Sequence, residues 1–224
     1  MYLIQFFKKS RSTLIFLFFF TLIFVPILYF LVKPKTVLPV YNPVDVNPRL
    51  VDDAVKHISR DHHIGEFHLI NQNGDSISGK DFEGKIYIAD FFFTRCQTIC
   101  PIMAINMSQL QEHYKDDEDL KFLSHSVTPV MDSVPVLRAY ADKNNAIDGK
   151  WEITTGSKKH IYELARKSYF AVLDEGDGGE QDFIHTEQFV LVDKHKQIRG
   201  FYDGTDASEM DRIIADIAIL KAEE

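Results

Sequence analysis

The chain has 224 residues, of which 33 are Asp or Glu, 25 are Lys or Arg and only two are Cys. That length suits one membrane-spanning element plus one globular domain, and an apolar content of 45% excludes a disordered chain. Five of the 25 basic residues fall within residues 1–35, which carry no acid; the rest of the chain holds 20 against 33, a net charge of −13, and so excludes a nucleic-acid binder, whose phosphate contacts need clustered positive charge.

Residues 13–32, TLIFLFFFTLIFVPILYFLV, run for 20 positions without a charge, enough to cross a bilayer's hydrocarbon core at helical rise. Pro26 is tolerable there, because local adjustment satisfies the carbonyl it frees. Lys33-Pro34-Lys35 follows in place of a small-residue cleavage site, so the segment reads as an uncleaved transmembrane anchor. Lys8, Lys9 and Arg11 outweigh Lys33 and Lys35. That balance keeps residues 1–12 in the cytoplasm and sends the remainder to the periplasm or an equivalent space. The expected localisation is single-pass in the inner, cytoplasmic membrane. Residues 33–60 contain four prolines and little periodicity, and read as a semi-extended linker. Residues 61–224 are the expected globular domain.

Within that domain, Asn73-Gly74 marks a hairpin turn between FHLI and SIS. Residues 86–93, IYIADFFF, read as apolar on both faces, the pattern of a covered central strand. Pro101 opens a helix carrying Ile102, Ile105 and Leu110, and residues 120–127 form a second buried strand. A helix follows from about Ser133, with Pro135 in its first turn. Another passes through Ile161, Leu164 and Ala165. Residues 188–193 and 197–202 make a last hairpin. The final helix begins at Asp206, with Glu209 as its capping-box partner and Met210, Ile213, Ile214, Ile217 and Leu220 as its buried stripe. Strands alternating with helices predict an α/β sheet covered on both faces, with its site beyond the ends of the strands.

Cys96 and Cys100 lie just past the central strand, in FFFTRCQTICPIM. In a helical or turn conformation, i and i+4 share a face, so both sulfurs face the same way. Such a pair either exchanges with a disulfide or binds a soft metal, for which Cu(I) is well suited. A helix N-terminus beside them lowers a thiol pKa. The competing reading is a pair of inert core thiols. Of nine histidines, His185 is the chosen third ligand. It follows the acidic, Gly-rich run DEGDGGEQD and precedes a strand, so a mobile loop can close it over a metal and release it. Two sulfurs and one imidazole can hold copper in both oxidation states. Three protein ligands fall short of a closed structural zinc site. His62, His63 and His68 read as surface residues, and His113, His160 and His195 as solvated. Asp132, just before a helix with Ser133 beside it, reads as a cap for orphan N–H groups.

The string FTRCQTICP resembles the C-x-x-x-C-P motif of the Sco/SenC copper proteins, the cytochrome oxidase assembly factors. FIHTEQFVLVDKHKQIRGFYDGT is similar to that family's histidine segment, and SVTPVMDSVPVLRAYA, WEITTG and YFAV fit its pattern in the same order. The resemblance spans about residues 61–220. It implies a thioredoxin-like fold, with a central mixed sheet flanked by helices, carried by the N-terminal transmembrane helix. It assigns Cys96 and Cys100 as metal-binding and redox cysteines, His185 as third copper ligand, and Asp132 as an acidic residue supporting the site. At Thr128 and Val134, where relatives carry Asp and Pro, the chain departs from the pattern. The implied function is a copper metallochaperone, for Cu(I) or Cu(II), that helps assemble the CuA centre in its partner subunit of cytochrome c oxidase. The alternative is a thiol-disulfide oxidoreductase that reduces that subunit's cysteines; a copper donor or a thiol reductant would be a further partner. A redox or copper sensor is a third reading.

Overall fold

The computed structural model describes residues 11–32, 37–172, 179 and 181–223. They divide into two units, the second running Leu38–Glu224. The first is the helix α1, Arg11–Val32, whose 22 residues span about 33 Å at helical rise. Its described large apolar side chains are exposed. Phe16, Phe20 and Phe24 stack at i, i+4 spacing, with ring centroids 6.1 and 5.0 Å apart. Among the residues whose side chains are described, no helix is long and apolar enough to cross a membrane; the helical backbone is longer than that stretch. Most of the expected cytoplasmic stretch, residues 1–10, lies outside the described residues.

The second unit opens its regular structure with a hairpin, β1 (His68–Ile70) against β2 (Ser76–Ser78). Gly74 makes the turn at φ +85°, a left-handed conformation that favours glycine. The main sheet contains β3 (Ile86–Phe92), β4 (Leu120–Ser126), β5 (Trp151–Thr154), β6 (Gln188–Val192) and β7 (Ile198–Asp203). Their order is β5-β4-β3-β6-β7, with β3, β4 and β5 parallel, β6 antiparallel to β3 and β7 antiparallel to β6. This is the expected mixed α/β sheet.

Every residue of β3 is buried, as a central strand covered on both faces requires. Tyr87, Ala89 and Phe91 point into one core, with Tyr162, Tyr169 and Ile184. Ile86, Ile88 and Phe92 point into the other, where helix α2 (Ile99–His113) lays down Cys100, Met103, Met107 and Leu110 at helical spacing. Helix α3 (Val134–Lys143) adds Leu137 and Ala141 to that layer. Helix α5 (Ala207–Glu223) adds Met210, Ile213, Ile217 and Leu220. Helix α4 (Lys158–Glu163) covers the first face and continues as a π-helical turn, Leu164–Ser168.

Several expectations are corrected. Residues 38–60, read as a linker, make contacts within the second unit. Tyr41 N–H donates to Ile198 O at 2.9 Å, and Val51 is fully buried. Arg199 donates to Leu38 O and Pro39 O at 2.8 and 3.2 Å while paired with Asp193 at 2.9 Å. Prolines keep such a segment out of helices and sheet interiors, but they do not stop its apolar side chains from docking. His62 is buried rather than exposed: its Nε2 lies 2.8 Å from Ser168 O and its ring 4.5 Å from that of Phe170. His160 is half-buried, with Nε2 shut away from water and unpartnered among the described residues. It adds to the burial that lowers the pKa of the core His125 to about 3. At the start of α5, Asp206 does accept Ser208 N–H at 2.8 Å, but Glu209 pairs with Arg212. Strand β5 was not predicted from its four residues as an element; its buried Trp151 and Ile153 place it beside β4.

Candidate functional site

Strand β3 delivers the chain to Thr94, Arg95 and Cys96, and α2 starts three residues later. Cys96 N–H donates to Phe93 O at 3.2 Å, which folds the segment into a turn. Cys100 is the second residue of α2, where backbone N–H groups have no intrahelical acceptor. Its N–H donates to the Cys96 sulfur at 3.4 Å, and the Thr98 hydroxyl lies 3.6 Å from the same sulfur. The structure therefore brings Cys96 and Cys100 together as expected; both are unbridged and buried.

Their acidities are driven apart. Burial alone would raise the Cys96 thiol, but hydrogen bonds from Cys100 and Thr98 outweigh it and bring its pKa from 9.0 to about 6. Burial pushes the Cys100 thiol up to about 12; a hydrogen bond from Phe93 opposes this, and Cys96 and Asp90 reinforce it. At neutral pH the pair is one thiolate and one thiol. A groove of about 220 Å³ gives access to it, lined by Thr94, Pro101, Ile105, Tyr140 and Lys143 as well as both cysteines.

Asp132 is fully buried and does not cap α3 with its carboxylate. It accepts from Thr94 Oγ1 at 2.6 Å, Ser126 Oγ at 2.6 Å and Thr128 Oγ1 at 2.9 Å. Ser133 is the N-cap, and its side chain makes no capping bond. Thr128, where the family pattern differs, is thus one of the three hydroxyls enclosing Asp132. This carboxylate ties the residue two before Cys96 to the end of β4.

His185 is not in contact with the sulfurs. Its exposed ring lies 6.4 Å from that of Phe93, the residue whose carbonyl accepts the Cys96 amide. Among the described residues, no group of three His, Cys, Asp or Glu is arranged to hold a metal ion. Ile184 and Thr186 on either side of His185 are buried, and Thr186 Oγ1 donates to Ala171 O at 2.8 Å.

Sequence reasoning missed Asp90 and Tyr140. Asp90 accepts from Ser124 Oγ at 2.5 Å, and Trp151 Nε1 donates to the same hydroxyl at 2.8 Å. Burial raises its pKa to about 7, against the pull of the Ser124 hydrogen bond. The signal was visible: one acid inside an otherwise apolar strand. Tyr140 stacks on Phe92 at 4.7 Å, and burial followed by the charges of Asp90, Cys100, Cys96 and Asp132 raises its pKa. Nothing in its helix pattern marks it.

A model of the SCO1/SenC family matches residues 55–221. The SCO1 protein homolog of Bacillus subtilis is 34% identical over 153 residues, covering 67% of this chain and 79% of that protein. Among solved structures, a SCO1/SenC family lipoprotein from Bacillus anthracis superposes with a TM-score of 0.62 at 33% identity, covering 71% of this chain and 95% of that one. BsSco, a member of the Sco family of cytochrome c oxidase assembly proteins in which a disulfide switch was identified, gives 0.61 at 32% identity, covering 71% and 94%. Arabidopsis thaliana ScoI, solved with copper bound, gives 0.55 at 25% identity, covering 69% and 97%.

Proposed function

The chain belongs to the SCO1/SenC family, and from that premise we propose that it binds copper through Cys96, Cys100 and His185 and helps assemble the CuA centre of a respiratory cytochrome c oxidase. The observation that carries this reading is the cysteine pair itself. One sulfur is held as a thiolate by the other's amide, at the mouth of a groove. Soft sulfur donors with one imidazole suit copper in either oxidation state. Copper-bound A. thaliana ScoI and the assembly role of the Sco family, to which BsSco belongs, support the assignment.

Copper here is cargo. Cys96 offers a ready thiolate, while Cys100 must give up a proton as the metal arrives, so loading releases about one proton near neutral pH. His185 supplies the nitrogen. Asp132 holds Thr94 and so supports the cysteine turn. The helix Arg11–Val32 anchors the protein in the membrane, and the domain faces the periplasm or an equivalent space.

A second reading, thiol-disulfide exchange, is favoured by the split acidities. The Cys96 thiolate attacks a partner's disulfide and releases one partner sulfur as a thiolate. Cys100 then loses its proton to that leaving sulfur and attacks Cys96, freeing the second partner sulfur. The partner's disulfide is reduced to one thiol and one thiolate, which takes a proton from water, and Cys96 and Cys100 end as a disulfide.

Both readings are tested by mixing the reduced full chain in detergent micelles, with and without one equivalent of copper, with the copper-free oxidase subunit. A chaperone yields the CuA absorption spectrum from a pre-reduced subunit only when loaded. A reductase yields free thiols in an oxidised subunit without copper. If neither product forms, the proposal is contradicted.

A further inference from the structure

We propose that Tyr140 and Lys143 form a receiving site for the sulfur that leaves a partner's disulfide when Cys96 attacks it, stabilising that sulfur as a thiolate; this rests on the exchange reading above. The two residues lie one turn apart on α3, so they share a face of the helix, and both line the groove that holds Cys96 and Cys100. At about 220 Å³ the groove has room for about seven waters. An attacking sulfur and a leaving sulfur in line with it are separated by two S–S bond lengths, about 4 Å. A disulfide seated in so small a groove therefore releases its sulfur among the same lining residues.

Two of the groove's polar side chains are already engaged. Thr94 Oγ1 donates to Asp132 at 2.6 Å, and Asn144 Nδ2 donates to Tyr140 O at 2.8 Å. The Tyr140 hydroxyl, by contrast, has no hydrogen-bond partner among the described residues and is not shut away from water. Its ring is held by the stack on Phe92, 27° from parallel. Burial, followed by the negative charges around it, raises its pKa, so it keeps the proton it donates. Lys143 is exposed, makes no ion pair among the described residues, and is the one cation lining the groove. Residues 91–111, which supply the cysteine side, contain no acid. Pro101, Ala104 and Ile105 make the remaining wall apolar, where a hydrogen bond is stronger than in water. As Cys96 Sγ bonds to one partner sulfur, the partner's S–S bond breaks and its electron pair stays on the departing sulfur. Tyr140 O–H donates to that thiolate, and the Lys143 ammonium balances its charge until Cys100 supplies the proton.

The test uses the reduced full chain in detergent micelles with two neutral disulfides. Bis-hydroxyethyl disulfide releases a strongly basic thiolate; dithiodipyridine releases one whose charge spreads into its ring and needs little stabilisation. Iodoacetamide, which alkylates Cys96 and releases no thiolate, reports the nucleophile alone. Tyr140→Phe keeps the ring and removes only the hydroxyl; Lys143→Met is the second variant should the first fail to fold. Tyr140→Phe is expected to slow the reaction with bis-hydroxyethyl disulfide about tenfold, the scale of a hydrogen bond to a charged group, and Lys143→Met about threefold, as befits an exposed charge. Both should react with dithiodipyridine and iodoacetamide at close to the wild-type rates. Equal slowing of all three reactions, or no slowing with bis-hydroxyethyl disulfide in either variant, overturns the receiving site. If the wild type reacts with neither disulfide while iodoacetamide still labels Cys96, the exchange reading fails first, and the receiving site with it.

Discussion

The amide of Cys100 points at the sulfur of Cys96 across 3.4 Å. Because that N–H sits in the first turn of α2, no carbonyl competes for it. The bond stabilises negative charge on one sulfur and leaves the other buried and protonated, so two chemically identical side chains acquire different roles.

Alkylation should report this asymmetry. With the Cys96 pKa near 6 and that of Cys100 near 12, a limiting amount of iodoacetamide at pH 7 should modify Cys96 almost alone. Its rate should fall as pH drops through about 6, where the thiolate is protonated. Peptide mass mapping across pH 5–9 checks this; equal labelling, or a rate still rising steeply at pH 8–9, contradicts it.

Asp90 makes a pH-dependent contribution to stability. Its folded pKa is raised from 3.8 to about 7, so the folded state binds the proton more tightly than the unfolded chain does. The associated stability is fully present below about pH 4 and is lost as pH rises through about 7. Thermal unfolding of the wild type should therefore show a decline between about pH 4 and 7, and Asp90→Asn, which cannot ionise, should lack that step. Parallel curves for the two proteins would contradict the assignment.

Removing the Asp132 carboxylate should cost more than an ordinary polar substitution. Asp132→Ala strands the buried hydroxyl of Ser126 and unpairs the half-buried hydroxyls of Thr94 and Thr128, and a buried unsatisfied group costs about 1–3 kcal/mol. Denaturant unfolding is expected to show a loss of about 1–3 kcal/mol, with Asp132→Asn losing less. A loss below about 1 kcal/mol would return Asp132 to an incidental place in the loop.

The stretch before residue 61 should behave as part of the domain. Arg199 holds Leu38 O and Pro39 O and is only 7% exposed on its side chain. Hydrogen exchange at the Tyr41 amide, bonded to Ile198 O, should be slow in the wild type and at least about tenfold faster in Arg199→Ala. Fast exchange in the wild type would restore the picture of a free tether.

What was legible in the sequence had a short-range cause. The covered strand β3 showed in its apolar run, the cysteine pair in its spacing after that strand, and the buried stripe of α5 in its period. What was not legible depends on partners far along the chain. Asp132 beside Ser133 looks like a helix cap until β4 and Thr94 present three hydroxyls to it. The proline-containing residues 38–60 look like a linker until Arg199, some 160 positions away, bonds the carbonyls of Leu38 and Pro39. Asp90 shows the opposite failure, since its single charge stood in plain view inside a strand read only for its apolar neighbours.

X-ray absorption at the copper edge, on the fully reduced chain loaded with one equivalent of Cu(I), reads the ligand set itself. Two sulfur neighbours and one nitrogen neighbour are expected, with the nitrogen lost in His185→Ala and one sulfur lost in either cysteine-to-serine variant. Copper surrounded by nitrogen and oxygen alone, or a nitrogen that survives in His185→Ala, would contradict it.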